Sequence, residues 1–263
     1  MSARRRARSI GALSLTVIVL LGGGCANRRS AFLPPVSPPT SRPAPHQSTT
    51  SVPSTTSVPP SSTIPTVTSV LGPGSSGPAV LALQQRLVAL HYWLGTPDGV
   101  FGDSTEQAVY ALQKAAGIER DGLVGPVTEA VLARGITPQP RAAPGYLIEV
   151  DLADDVLMLV TAGRLLWTFN TSTGGGYVYT GTAVADTPVG MFTIFREVDG
   201  LVTDNLGQLW RPKFFDAGFA IHGDAYVPPY PVSHGCVRVS NEAIDWIWTH
   251  GMAPIGTRVW IYG

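Results

Sequence analysis

The sequence predicts a multi-domain chain: a small all-α unit, then a larger mainly-β domain that is β-sandwich-like and carries one short helix. Three observations predict it. The stretch "AVLALQQRLVALHYW" sets Val80, Leu83, Leu87 and Leu90 at helical spacing, one face of a 3.6-residue period. From Tyr146, "YLIEVDL" alternates apolar with polar as a half-buried strand does. The composition of the 263 residues, with 29 Gly, 23 Pro and only 14% charged, favours turns and β structure over long helices. The hydrophobic fraction of 44% supplies a core for a small and a medium domain.

Residues 1–25 read as an export signal. Arg4, Arg5, Arg6 and Arg8 precede the apolar stretch Ile10 to Leu21, which is short for a bilayer span and ends in Gly22-Gly23-Gly24-Cys25. Small residues before a cysteine resemble a bacterial lipoprotein cleavage site with Cys25 as the lipidation point. That pattern has an aliphatic residue where Gly22 stands; ordinary secretion or an uncleaved anchor are the alternatives. Without the four arginines, 14 basic residues face 18 acidic ones. A net negative chain is the wrong sign for a nucleic-acid partner. Residues 26–72 are a Pro/Ser/Thr-rich disordered linker with no hydrophobic period, as in "PPVSPPTSRPAPHQSTTSVPSTTSVPP". Such a tether suits a protein fixed at a membrane that reaches a target at some distance.

The all-α unit is expected over 73–136. Its second helix, "STEQAVYALQKAAG", opens on Ser104 as an N-cap and stops at Gly117. A short internal repeat, "DGVFGDSTEQAV" from Asp98 and "DGLVGPVTEAVL" from Asp121, uses one tight turn feeding one helix twice. This stretch resembles the peptidoglycan-binding domain 1 family, a three-helix module. The matching residues are Val80, Leu83-Gln84, Leu87, Asp98-Gly99, Phe101-Gly102, Thr105, Ala108-Val109, Gln113, Gly117, Asp121-Gly122 and Gly125. The resemblance implies peptidoglycan as partner; scaffolding alone is the plainer reading of the repeated turns.

Residues 137–144 are a linker, and 145–263 carry the β signals. Asp154-Asp155 and Ala162-Gly163 punctuate the first strands, "GMFTIF" and "GFAIHG" supply two more, and "TRVWIY" the last. The short helix runs from Glu242 to His250, capped by Ser240 or Asn241 and closed by Gly251.

Within this domain "SHGCVRVSN" (Ser233 to Asn241) holds a lone cysteine. Cys236 could be a buried filler, half of a disulfide, a metal ligand or a nucleophile. Lipidation of Cys25 would leave it no disulfide partner. Neither CxxC nor HExxH is present to support His234-x-Cys236 as a zinc site. His222 lies 14 residues earlier, across a loop stiffened by Pro228, Pro229 and Pro231, and an imidazole beside a thiol supports nucleophilic chemistry.

"IHG" followed by "SHGCVRVSN", with "TPVGMFTI" and "LIEVDLADDVLMLVTAGRLLWTFNTSTG", resembles the YkuD-type L,D-transpeptidases over Gly145 to Gly263. The resemblance implies an enzyme that attacks a donor tetrapeptide stem of peptidoglycan, releases terminal D-Ala and passes the acyl group to a second stem. Cys236 is then the nucleophile, His222 its base and the Gly223 carbonyl the orienting group. Backbone N–H groups around His234, Gly235 and Cys236 form an oxyanion hole. Arg238 suits a substrate carboxylate or the loop itself, Ser233 a loop hydrogen bond or a substrate contact. Tyr226, Tyr230 and Trp210 are candidates to line the groove, with packing the alternative for each. No metal or cofactor is expected, and the setting is extracytoplasmic. Water or a protein amine as acceptor would make it a carboxypeptidase or an anchoring enzyme; a non-catalytic wall-binding lipoprotein is the third reading.

Overall fold

In a computed structural model, residues 69–141 and 143–263 are described; the signal, Cys25 and almost all of the linker lie outside them. Among the described residues three helices lead: α1 (Pro78–Ala89), α2 (Asp103–Ala115) and α3 (Pro126–Arg134). α1 and α3 both start on Gly-Pro, the proline at the first helical position, where its missing N–H breaks no hydrogen bond. α2 begins at Asp103, one residue before Ser104; Gly102 occupies the cap position, and no side chain caps the helix. Ser104 is therefore inside the first turn rather than the cap. Gly117 takes the left-handed conformation just past the helix, φ 62°, as a C-terminal stop requires.

The two Asp-Gly turns are built alike. The Gln84 Nε2 of α1 lies 2.9–3.0 Å from the Asp98 carboxylate, the Val100 carbonyl and the Thr105 hydroxyl, sharing its two N–H donors among them, and its Oε1 accepts from the amides of Asp98 and Gly99. Gln113 of α2 repeats this on Asp121, Leu123 and Thr128, and accepts from the Gly122 amide.

Twelve strands follow: β1 (Tyr146–Asp151), β2 (Val156–Thr161), β3 (Arg164–Asn170), β4 (Val178–Thr180), β5 (Ala183–Val184), β6 (Gly190–Thr193), β7 (Arg196–Glu197), β8 (Leu201–Asp204), β9 (Gly207–Asp216), β10 (Phe219–Asp224), β11 (Val237–Ser240) and β12 (Arg258–Tyr262). A fourth helix, α4 (Asn241–Thr249), separates β11 from β12. Ser240 caps it, its hydroxyl accepting from the Ala243 amide at 3.2 Å. One five-stranded sheet has the order β3-β2-β1-β12-β6. A second runs β11-β10-β9-β7, with β8 also on β9. Ile148, Val150, Leu157 and Val259 of the first sheet share one core with Phe215, Ile221, Val237 and Val239 of the second and with Ile244 and Ile247 of α4.

The sequence marked no strand at β9. Pro212 lies inside it, and proline removes a ladder donor. The strand tolerates it because Arg211, with φ 48°, kinks the chain there. β8 pairs before the kink, up to Trp210, and β7 pairs after it, from Lys213.

The helical unit is joined to the β domain. Trp93, just after α1, enters the β-domain core and stacks on Phe169 at 5.5 Å. Its amide donates to the Thr168 carbonyl, and the Thr168 amide to the His91 carbonyl.

Candidate active site

β10 and β11 are parallel neighbours, so a crossover must connect them. That crossover is the Pro-rich segment, and it ends at Cys236, directly before β11. The register sets His222 beside Arg238 and Ile221 beside Val237. His222 and Cys236 line one cavity of about 450 Å³, together with Ser233, His234, Arg238 and Tyr179.

His222 is buried, 3% exposed. Its Nδ1 lies 2.9 Å from the Gly223 carbonyl oxygen. A carbonyl only accepts, so Nδ1 carries the proton and Nε2 is the basic nitrogen. Gly223 has no room for a side chain: a Cβ would stand 2.6 Å from Ile244 and 2.7 Å from the Asn241 amide oxygen. Burial lowers the His222 pKa, against the Gly223 hydrogen bond and Asp224, which raise it. Burial also raises the Cys236 pKa, against the Ala220 amide and the Arg238 charge. Both shifts favour neutral thiol beside neutral imidazole over an ion pair.

The Cys236 loop rests on the segment after β3. Ser233 donates its amide to the Thr173 carbonyl at 2.9 Å. The Thr171 hydroxyl bonds the Arg238 carbonyl at 2.6 Å, and Ser172 exchanges two backbone hydrogen bonds with Arg238. The Thr187 hydroxyl donates to the Gly235 carbonyl at 2.9 Å. Inside the loop the Ser233 hydroxyl donates to the Cys236 carbonyl at 2.6 Å and accepts from the Gly235 amide at 3.0 Å. The Gly235 amide is thus already engaged, while those of His234 and Cys236 have no partner among the described residues. The His234 ring is held edge-on by Tyr179 and Tyr177, at 4.9 and 5.7 Å between ring centres. The Arg238 Nε sits 3.2 Å from the Asp224 carboxylate, a strand away.

Three candidates are not brought to this cavity. Trp210 lies opposite Gly223 on the neighbouring strand β9 and donates its indole N–H to Asp245 at 2.8 Å. Tyr226 and Tyr230, hydroxyls 3.2 Å apart, line a second cavity of about 620 Å³ with Tyr110 and Arg120 of the helical unit. Asp224 borders both cavities. Sequence reasoning missed Thr171, Ser172, Thr173 and Thr187; the polar run "NTST" after an apolar strand was the available signal. Among the described residues no group of three or more His, Cys, Asp or Glu side chains could hold a metal ion. Among the described residues Cys236 has no disulfide partner. No helix among those residues is long and apolar enough to cross a membrane.

Two family models match the chain. One, described as the L,D-transpeptidase catalytic domain, covers residues 145–261; the other, described as a putative peptidoglycan binding domain, covers 76–132. The chain is similar to the crystal structure of an L,D-transpeptidase from Xylanimonas cellulosilytica, with 48% identity and a TM-score of 0.70. That match covers 73% of this chain and 97% of the other. It is also 49% identical over 67 residues to the N-acetylmuramoyl-L-alanine amidase CwlL of Bacillus licheniformis, covering 25% of this chain and 19% of that protein. A spore cortex-lytic enzyme of Halalkalibacterium halodurans is 43% identical over 65 residues, which cover 25% of this chain and 20% of that enzyme. The chain therefore spans about a fifth of the length of these two curated relatives.

Proposed function

The chain belongs to the L,D-transpeptidase family, and on that premise we propose that it cross-links peptidoglycan stem peptides through a thioester on Cys236. The observation that carries the reading is one cavity lined by both Cys236 and His222, whose Nδ1 is committed to Gly223 so that Nε2 is free to take a proton.

The thiol proton passes to His222 Nε2 as Sγ attacks the carbonyl carbon of the donor's L-to-D peptide bond. Neutral partners at rest make transfer and attack concerted in character, because neither ion is stable alone in the buried site. The amides of His234 and Cys236 receive the oxyanion; the Gly235 amide keeps Ser233 in place instead. Collapse breaks the C–N bond, the leaving D-Ala nitrogen takes the proton from His222, and a thioester remains. An acceptor amine then attacks the thioester, gives its proton to His222 and releases the thiolate, which recovers that proton. Arg238, tied to Asp224, presents positive charge on the cavity wall for a stem carboxylate.

The remaining expectations join this reading. The mainly-β domain, its sheets arranged as a sandwich, spans 145–263 as the catalytic unit. The helical unit, 73–136, is the three-helix wall-binding module; tethering on one polymer raises effective concentration at the site. Residues 1–25 export the chain, and Cys25 anchors it by lipid at the cell envelope, facing the wall.

The test incubates the full-length protein with a disaccharide-tetrapeptide and follows mass. A dimer lighter by one D-Ala is the expected product; a tripeptide alone would assign water as the acceptor. Cys236→Ala is expected to lower product formation at least 1,000-fold, the scale seen when a nucleophile is removed. Full product formation by that variant would remove the assignment.

A further inference from the structure

The contact between the helical unit and the β domain contains a buried cation. Lys114, near the C-terminal end of α2, is fully buried. Its ammonium group donates to the Asp155 carboxylate at 3.0 Å, the Asp155 carbonyl at 2.9 Å and the Thr171 carbonyl at 2.7 Å. An ammonium has three N–H donors, and all three end on the β domain. Asp155, 1% exposed, is held equally firmly: its second carboxylate oxygen accepts from the Thr173 amide at 3.1 Å and the Thr173 hydroxyl at 2.8 Å.

A buried ion pair of this kind contributes little net stability over a well-packed apolar pair, because desolvation offsets the attraction. Its geometric effect is larger. Thr171 and Thr173 are the residues on which the Cys236 loop rests. From Lys114 one path runs through Thr171 to the Arg238 carbonyl. A second runs through Asp155 and Thr173 to the Ser233 amide, and from the Ser233 hydroxyl to the Cys236 carbonyl. Neighbouring contacts add to the same joint: Gln107 of α2 donates to the Val227 carbonyl at 3.2 Å and accepts from Asn170 at 2.6 Å.

We propose that Lys114, although it belongs to the peptidoglycan-binding segment, is a positioning residue for the reacting thiol: with Asp155 it fixes residues 171–173, and through them the Cys236 loop. The helical unit is then part of the catalytic machine as well as a wall-binding module. This deepens the reading of Cys236 as nucleophile and rests on it.

Two full-length variants test it. Asp155→Asn keeps an oxygen for Thr173 and leaves Lys114 bonded to Thr171, removing only the charge partner. Lys114→Met combined with Asp155→Asn cuts both paths and leaves no unpaired buried charge. Each is measured for thermal unfolding, sacculus pull-down, kcat and KM with the tetrapeptide donor, and the rate of Cys236 alkylation by iodoacetamide. Alkylation needs no peptidoglycan, so it reads the thiol's setting even if the proposed reaction were wrong. The expected pattern is graded: about threefold loss in kcat and in alkylation rate for Asp155→Asn and at least tenfold for the double variant. Sacculus binding is expected to be unchanged and KM to move by less than twofold. Alkylation and kcat within twofold of wild type in the folded double variant would overturn the proposal, as would a loss confined to KM. If neither variant holds the native fold, Lys114 serves folding alone and the proposal also fails.

Discussion

The two Asp-Gly turns of the helical unit and the Cys236 loop are both tight turns closed by buried polar groups, yet they are closed in opposite ways. Each Asp-Gly turn is gathered by one glutamine reaching across from the preceding helix; the residues it binds lie 8 to 21 positions away. The Cys236 loop is gathered by Thr171, Thr173 and Thr187, which sit 48 to 67 positions earlier and on different segments. A turn closed by one side chain fails or survives with that side chain. A loop closed by many remote partners tolerates the loss of one, but tolerates no change in the backbone on which they converge.

Among changes that leave the reacting groups in place, the largest effect is therefore expected from a methyl group on that backbone. Gly235 has φ 126°, and a Cβ there would stand 2.4 Å from the Phe219 ring and 2.6 Å from the Asp186 carbonyl oxygen. Gly235→Ala must shift the loop, and a displacement near 1 Å at a reacting atom costs about 100-fold. The expected result is a loss of roughly that size in kcat/KM, with cooperative unfolding retained. Near-wild-type turnover would show that the loop backbone adapts and that its remote partners do not fix it.

Next comes the glutamine pair. Gln84→Ala leaves the Asp98 and Gly99 amides without their acceptor, whereas Gln113→Ala orphans the Gly122 amide alone. With about 1–3 kcal/mol lost when a buried partner is removed, Gln84→Ala is expected to lower the melting temperature by several degrees and Gln113→Ala by less. Scanning calorimetry on both gives the order. Activity per folded molecule is expected to stay within twofold for each, because both glutamine side chains bond only within the Asp-Gly turns and neither bonds Lys114 or the Cys236 loop. A reversed order would mean that the similar hydrogen-bond sets of the two turns conceal different packing.

The same contrast explains what could be read from the chain. The helices, their glycine stops and the first hairpins depend on neighbours within a few turns. Ala162-Gly163, for example, both adopt positive φ between β2 and β3, as a two-residue hairpin turn requires. Ser104 misled because a serine ahead of a helical run is the usual capping signal, and here Gly102 occupies the start instead. β9 was hidden by Pro212, whose place in a strand depends on a kink at Arg211 that no local rule supplies. Cys236 and His222 stood out through residue type and spacing. What holds them did not: threonines are ordinary in a β-rich sequence, and only the tertiary pairing of the segment after β3 with β11 makes Thr171 and Thr173 part of the site. Trp210, Tyr226 and Tyr230 were reasonable groove candidates by chemistry, but side-chain direction sends the first to α4 and the other two to the cavity beside the helical unit.

The smallest expected effect concerns pH, and it follows from burial of the site. His222 acts as a base only when neutral. Burial holds its pKa below the ordinary 6.5, so the neutral form persists to lower pH than in a solvent-exposed histidine. The Cys236 pKa is raised, so the thiol remains protonated across the neutral range and contributes no falling limb there. The acylation rate with the tetrapeptide donor, measured in single turnovers from pH 5 to 8, is expected to vary less than twofold between pH 6.5 and 7.5. It then falls with a midpoint below 6.5 as His222 takes up a proton. A midpoint above 6.5 would mean that the imidazolium is stabilised by a resting thiolate. The loop would then hold an ion pair at the cavity wall, and burial would not be the dominant influence on its chemistry.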